Sequence, residues 1–599
     1  MSPLTNKDWP ILNQLLEYGA LPYEAYALAE LYLTQEKSEA IAAFICHLVL
    51  AAQNGHLCIK IQSNTLNPPP EAIWLSEAKE DGLPSLVPKL SALIMRGAHE
   101  SALYLQDNSP TEDSLKPICK SGNLYYLKKY WSQENLWINY VEKMLQPVQG
   151  IAFNQDLIQT TIQSLLASKK LLLEQAQAIF QASQQGLLLI CGGPGTGKTY
   201  TAGQLIKTLW EHLSEKEQQT FEIVLAAPTG KAAANLQSSL VKATEGIQNW
   251  QIPKAKTLHA LLEINPYASF KKPTYSPLGA DLILVDECSM IDTKMMLGLF
   301  AKIKPGARLI LLGDHHQLPA VGMGSPFSDL KSYLQAKPAY KNQICELTTC
   351  LRAELQSILD LASSIKTGHT EEVLTLLKNP AAGIDCLFFE SHLSLKKLQE
   401  KILKHTFLQF TLGKGSSKPE DLFTLYSQFR ILSPLRKGPF GIESLNHLFL
   451  TECLKNAPED EPFAAPILLT KNDYKNELFN GEIGVLIKMH KQEGLQPGDY
   501  ALFPAKNCDK PGTFRQIPAL LLPQFEYAYC LSVHKSQGSE FEKVLLILPP
   551  GAEVFGREVF YTAVTRSKKN LQIWTNEQTL VQTMQRSSQR LSGFLERMP

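Results

Sequence analysis

The hydrophobic rhythm of the chain changes along its length. Up to about residue 145, apolar positions recur at helical spacing: Tyr26, Leu28, Ala29 and Leu31, then Ile41, Phe44, Ile45 and Leu48. That is the stripe a helix turns toward a core. Few strand-like alternations interrupt it, so residues 1–145 are predicted to form a helical domain. From 150 onward the pattern becomes short uninterrupted apolar runs at 187–191, 223–227, 282–285 and 309–312. Each is followed by Gly, Pro or a capping residue and then a helical segment. Runs with no polar alternation suit parallel strands buried on both faces, with helices covering them.

A second alternation of this kind covers about 340–450 and resumes at 527–574. Between them, roughly 460–525 is rich in Pro, Gly and Asn and carries short β-type runs. The predicted organisation is α/β. A helical domain occupies 1–145 and is expected to bind partners. A first parallel-sheet lobe follows at 146–335. A second lobe is assembled from 336–455 and 526–599, with a small β-barrel-like insertion at 456–525. The stretch 413–419 (GKGSSKP) reads as a surface loop.

Composition narrows the class. With 599 residues, the chain exceeds the roughly 250–300 residues one core serves, so several domains are required. Lys plus Arg and Asp plus Glu both total 58. This balance excludes a uniformly basic nucleic-acid coat, but counterion release needs only a local basic track. None of the 11 cysteines forms a C-x-x-C pair, the closest two being Cys345 and Cys350. Zinc and iron–sulfur spacings are therefore missing, and the thiols read as those of a cytoplasmic protein. The start of the chain has no basic segment followed by an apolar run, and no stretch reaches about 18 apolar residues. A soluble protein with no membrane partner is expected.

The chemistry begins at Gly192. Strand-like Leu187-Leu-Leu-Ile-Cys191 leads into Gly192-Gly193-Pro194-Gly195-Thr196-Gly197-Lys198-Thr199, which fits G-x-x-x-x-G-K-[ST]. Glycines let the backbone fold closely around phosphates with its N–H groups inward, and the following helix adds its positive end. Lys198 is placed to reach the β- and γ-phosphates of a nucleoside triphosphate, and Thr199 to offer a hydroxyl to Mg²⁺. About 90 residues on, Leu282-Ile-Leu-Val-Asp286-Glu287 ends a buried strand in two carboxylates. Asp286 can hold the magnesium shell, and Glu287 can polarise an attacking water. A third strand ends in Gly313-Asp314-His315-His316-Gln317-Leu318-Pro319, with Gln317 placed to sense the γ-phosphate.

At this point the pattern resembles superfamily 1 helicases. Further segments match in the expected order: Ala227-Pro228-Thr229-Gly230-Lys231-Ala232-Ala233, Thr257-Leu258-His259, Leu351-Arg352-Ala353, Val533-His534-Lys535-Ser536-Gln537-Gly538-Ser539-Glu540-Phe541 and Tyr561-Thr562-Ala563-Val564-Thr565-Arg566. The resemblance implies two RecA-like lobes with ATP between them. It also implies that Gln175 reads adenine, that Gly538 and Glu540 line the nucleotide, and that Arg352 and Arg566 stabilise charge in phosphoryl transfer. Single-stranded DNA would cross the lobes on Pro228, Thr229, Thr257, His259, Asn480, His534, Lys535 and Ser536.

Other segments are similar to the RecD family, the alpha subunits of RecBCD-type exodeoxyribonuclease V: GDHHQLPAVGMGSPFSDL at 313–330, SPLRKGPFGIESLN at 433–446, Asn472-Asp473-Tyr474, and LFNGEIG at 478–484. Two N-terminal stretches, GHLC at 55–58 and LYYLKKYW at 124–131, resemble it as well. That family implies 5′→3′ translocation on single-stranded DNA, entry at duplex ends, RecB-like and RecC-like partners in a heterotrimer, and double-strand-break repair by homologous recombination. One departure is Cys288, where many relatives carry alanine after the Asp-Glu pair. Cysteine is similarly small and apolar, so activity is expected to survive. Two other readings remain: a stand-alone RecD-type helicase, and an ATP-gated assembly factor that switches without unwinding.

Overall fold

The computed structural model describes residues 6–33, 38–74, 86–101, 105–106, 116–245, 247, 250, 252–263, 276–350, 356–389, 399–400, 402, 419–456, 462–473, 475–489, 494–505 and 513–599. Residues 413–418 of the expected loop, Tyr474 and the 351–353 segment with Arg352 lie outside them, while Pro419 opens the helix Pro419–Gln428. Among the described residues, no helix is long and apolar enough to cross a membrane.

The apolar runs form two parallel sheets. The first contains β1 (Leu187–Gly192), β2 (Ile223–Ala227), β3 (Lys256–Thr257), β4 (Leu282–Val285), β5 (Arg308–Gly313) and β6 (Ile344–Leu347). Their order is β6-β1-β5-β4-β2-β3, with every pairing parallel. The four central runs are buried on both faces, which explains their lack of alternation. The second sheet holds β7 (Ile384–Phe388), β8 (Phe429–Ser433), β9 (Cys530–Ser532), β10 (Phe541–Leu548) and β11 (Ser567–Thr575), in the order β7-β11-β10-β8-β9, again all parallel. Between β8 and β9, strands Phe463–Leu469, Ile483–Lys488, Tyr500–Pro504, Phe514–Pro518 and Phe525–Tyr527 pair antiparallel around a small apolar core. Their order is open, and no pair closes them into a barrel among the described residues.

The structure adds three features to these expectations. Strand β6 hydrogen-bonds to β1, so the first sheet runs to Leu347, past the expected boundary at 335. Its sequence, Ile-Cys-Glu-Leu, is too short to declare which sheet it joins.

Second, the N-terminal region is not wholly helical. Helices Pro10–Glu17, Tyr23–Tyr32, Glu39–Gln53 and Val87–Glu100 pack around a five-stranded sheet. Its strands are Ile59–Gln62, Thr65–Asn67, Leu105–Gln106, Ile118–Ser121 and Leu124–Leu127. Strands of four residues or fewer hold too little alternation to be seen, and Ile59 finds its partner in Tyr125, far along the chain. The helix Glu39–Gln53 is buried on all sides from Ala40 to Ala52. That accounts for its hydrophobicity without a membrane. Its His47 is satisfied in place: Trp74 Nε1 donates to Nδ1 at 2.8 Å, and Nε2 donates to the Pro68 carbonyl at 3.1 Å. Burial pushes its pKa down to about 3.

Third, the C-terminal segment leaves the second lobe after the helix Glu577–Gln585 and returns to the first. Arg590 donates to the carbonyls of Gly322 and Gly324. Leu591 N donates to His56 Nδ1 at 2.9 Å, and Leu57 N to the Leu591 carbonyl at 2.9 Å. The terminal helix Phe594–Arg597 packs on the helices Lys128–Met144 and Pro326–Ala336. The Gly-x-Gly at 322–324 thereby gains a physical reason. A Cβ at Gly322 would stand 2.0 Å from Asp292 Oδ2, and Gly324 holds φ +74° with a Cβ position 2.1 Å from Thr293 Oγ1.

Candidate nucleotide and DNA site

The loop at 192–199 leaves β1 at the carboxyl end of the first sheet and enters the helix Lys198–Glu211. Gly195 and Gly197 hold φ of +80° and +82°, values that cost a side-chain residue about 1–2 kcal/mol. Lys198 Nζ donates to the carbonyls of Gly192 and Gly193 at 2.7 and 3.0 Å, so the ammonium sits over the phosphate cradle. Gln175, on the helix Leu173–Gln184, donates to the Thr196 carbonyl at 3.4 Å and accepts from Leu172 N at 3.0 Å. It braces the loop from behind.

Asp286 and Glu287 follow β4. Thr199 Oγ1 lies 3.4 Å from Asp286 Oδ2, which pairs the hydroxyl and carboxylate that a magnesium shell requires. Burial raises the pKa of Asp286, and Lys198 opposes that rise. Burial, and then the charge of Asp286, raise that of Glu287, whose backbone stands at φ +54°. A carboxylate made more basic by its surroundings suits proton abstraction from water. Gln317 Nε2 donates to Asp314 Oδ2 at 3.2 Å, while its buried Oε1 finds no partner among the described residues. An orphaned acceptor at this point can take a hydrogen bond from a water or ligand in the cleft. The donor set therefore fits a nucleotide triphosphate with a divalent ion.

The second lobe closes the site. Tyr561 OH donates to Asp314 Oδ2 at 3.0 Å, Leu318 N to Thr562 Oγ1 at 2.9 Å, and Gln537 Nε2 to the Leu318 carbonyl at 3.2 Å. Arg566 is buried. It donates to the Thr562 and Ser539 carbonyls at 2.9 and 3.3 Å and to Thr565 Oγ1 at 3.2 Å. Burial lowers its pKa, and the charges of Glu287 and Asp314 oppose that. Gly538 holds φ +67°, and its Cβ position lies 3.9 Å from Glu287 Oε1. Glu540 borders the neighbouring cleft of about 1130 Å³ with Gly192, Gly193, Pro194 and Tyr561, and pairs with Lys568 at 3.5 Å. Tyr561, Thr562 and Gln537 were missed as contacts in the sequence, although all three stand inside quoted motifs.

The residues expected at DNA divide. Thr229 and Thr257 are half-buried, and their hydroxyls cap helices, accepting from Ala232 N at 3.2 Å and Ala260 N at 3.3 Å. Pro228 is half-buried beside Thr229, and His259 is exposed. Asn480 is exposed, its backbone N–H donating to Asn472 Oδ1 at 2.7 Å. Its neighbour Phe479 stands against Gly230, where a Cβ would meet Phe479 Cβ at 3.1 Å. The insertion thus touches the first lobe beside Thr229. His534 is half-buried against Phe555, and Lys535 is paired with Glu526. Ser536 departs from expectation: it is fully buried, and its hydroxyl donates to the Val533 carbonyl at 2.7 Å. It shapes the turn and offers no side-chain hydroxyl at the surface, because the 3₁₀ turn consumes it locally.

Two parallel-sheet lobes, a glycine-rich phosphate loop, an Asp-Glu pair and a buried arginine from the opposite lobe define a two-lobed P-loop ATPase of the superfamily 1 helicase class. The AAA domain family matches residues 175–323, and the UvrD-like helicase C-terminal domain family matches 527–573. RecBCD enzyme subunit RecD of Mycolicibacterium smegmatis is 31% identical over 80% of this chain and 82% of its own. The same subunit of Haemophilus influenzae is 28% identical over 80% and 81%. ATP-dependent RecD2 DNA helicase of Deinococcus radiodurans is 31% identical over 67% of this chain and 48% of its own. A solved structure of Bacteroides Pif1 bound to ssDNA is similar at 16% identity and a TM-score of 0.37, over 68% of this chain and 93% of that one. The chain belongs to the RecD family and is an ATP-dependent DNA helicase.

Proposed function

We propose that this chain is the 5′→3′ motor of a RecBCD-type complex, working on single-stranded DNA from duplex ends during double-strand-break repair by recombination. RecB-like and RecC-like chains are its partners. The observation that carries the motor reading is the convergence of both lobes on one point. Asp286 and Glu287 come from the first lobe, Arg566 and Gly538 from the second, and they meet beside the Gln317–Asp314–Tyr561 hydrogen bonds.

Thr199 and Asp286 would hold Mg²⁺, which neutralises charge on the β- and γ-phosphates when bound. Lys198 and the 192–197 backbone bind those phosphates, and Gln175 sets the loop behind them. Glu287 accepts a proton from the attacking water at its carboxylate, and Gln317 Oε1 orients that water. Arg566 faces developing negative charge, a role that the family resemblance also gives Arg352. Losing those contacts after hydrolysis changes the lobe separation and moves DNA held on Pro228, Thr229, Thr257, His259, Asn480, His534 and Lys535.

The test is ATPase stimulation by single-stranded DNA, with strand displacement on a 5′-tailed duplex in the presence of the partner chains. Stimulated hydrolysis with displacement is expected. Hydrolysis that never displaces a strand would leave the assembly-factor reading. Full activity of the isolated chain, with no co-purifying RecB- or RecC-like subunit, would leave the stand-alone one.

A further inference from the structure

The helix Gly230–Ala243 begins directly after the Pro228–Thr229 segment, and two of its side chains cross to the second lobe. Lys231 Nζ donates to Ser539 Oγ at 2.6 Å. Asn235, one turn on, donates through Nδ2 to the Gly538 carbonyl at 3.2 Å. The other side of the same two residues faces the hydrolysis site. Arg566 Nη1 donates to the Ser539 carbonyl at 3.3 Å, and Gly538 lies against Glu287. One short loop, 537–539, is therefore gripped by the first lobe beside the expected DNA track and bears on the buried arginine beside the nucleotide.

The electrostatics around Lys231 point the same way. The ammonium meets a neutral hydroxyl, and the charges beside it are the guanidiniums of Arg430 and Arg566. Burial and those like charges push its pKa down to about 8. Desolvation and like-charge repulsion make this contact marginal rather than strongly stabilising. A marginal contact across a moving interface responds to small shifts in lobe position, which suits a switch better than a brace.

We propose that Lys231 is a positioning residue which, through Ser539, registers Gly538 and Arg566 against Glu287, so that occupancy of the adjoining DNA segment sets the rate of ATP hydrolysis. This rests on the reading of Pro228 and Thr229 as DNA contacts. Opening the lobes breaks the Lys231–Ser539 hydrogen bond and frees the 537–539 loop. DNA held along Thr229 keeps the helix start, and so Lys231, in place. Coupling then runs through one hydrogen bond and one backbone carbonyl.

The test uses the full chain with a fluorescein-labelled oligothymidylate. Lys231→Ala, Ser539→Ala, their double variant and Lys231→Arg are compared by ATPase kcat at saturating oligonucleotide and by oligonucleotide Kd from anisotropy. Lys231→Ala and Ser539→Ala are each expected to lower the stimulated kcat about tenfold, with Kd kept within about twofold. The double variant should be no worse than either single one, and Lys231→Arg should recover most of the rate. Three results overturn the inference: an unchanged stimulated kcat, losses that multiply in the double variant, or a weakened Kd whose effect vanishes at saturating oligonucleotide, which would mark Lys231 as a phosphate contact. Ser539→Ala removes a single oxygen from the opposite lobe, so the test survives if Lys231→Ala folds poorly. A wild-type chain without any stimulation would instead overturn the DNA reading on which this rests.

Discussion

Removing the Arg597 side chain should loosen the N-terminal region from the motor, although this residue lies at the far end of the chain from that region. Arg597 Nη1 sits 2.6 Å from Glu134 Oε2, a carboxylate with no solvent exposure, and its Nη2 donates to Asn135 Oδ1. The same carboxylate accepts from Tyr126 OH at 2.8 Å and Gly593 N at 2.8 Å. Breaking a buried pair from one side costs about 3–5 kcal/mol, because the remaining charge stays uncompensated. Two neutral donors persist here, so Arg597→Ala should cost about 3 kcal/mol, the lower end of that range.

The deficit should depend on pH. Burial already raises the Glu134 pKa while Arg597 opposes it. Without the guanidinium the folded-state pKa rises further, so folding favours the protonated carboxyl. The penalty is then smallest below the ordinary carboxylate pKa of about 4.3 and grows as pH rises through the elevated folded value. The protein has several cores, so the readout must be local. Hydrogen exchange of the strands Ile118–Ser121 and Leu124–Leu127 and of the helix Lys128–Met144 reports opening of this region. Combining Glu134→Gln with Arg597→Met should recover much of the loss. A change in protection worth less than about 1 kcal/mol would mean that the pair behaves like a surface bridge, and the clasp would have no mechanical weight.

Other outcomes follow from the site. Glu287→Gln should slow ATP hydrolysis by about 10²–10⁴-fold while leaving nucleotide binding nearly intact, checked by single-turnover hydrolysis beside binding of a fluorescent nucleotide. Lys198→Gln should weaken that binding as well, since its ammonium covers the phosphate cradle. Gly195→Ala forces a side chain to φ +80°, a strain of about 1–2 kcal/mol, and should raise the nucleotide Kd about tenfold without altering oligonucleotide binding. Ser536→Ala should leave oligonucleotide affinity within about twofold, because its hydroxyl is spent on the Val533 carbonyl; a tenfold loss would return it to the DNA track.

Chemistry that is local in the chain was legible in the sequence. The run before Gly192, the two left-handed glycines, Lys198 and Thr199 form one contiguous device, and the uninterrupted apolar runs announced buried parallel strands. The Asp-Glu pair and Gln317 were readable for the same reason, since each ends such a run. Tertiary structure alone decided what depends on distant partners. Whether Ile344–Leu347 joins the first or the second sheet is fixed by hydrogen bonds to β1, not by its four residues. The N-terminal sheet arises from pairs such as Ile59 with Tyr125. Whether a polar side chain faces solvent or its own turn separates Asn480 from Ser536, and only packing settles that. The return of the last residues to Glu134 and to the Gly322–Gly324 carbonyls has no local signature either. Hydrophobic period and turn chemistry act over a few neighbouring residues, whereas register, burial and lobe contact are fixed by groups brought together from hundreds of residues apart.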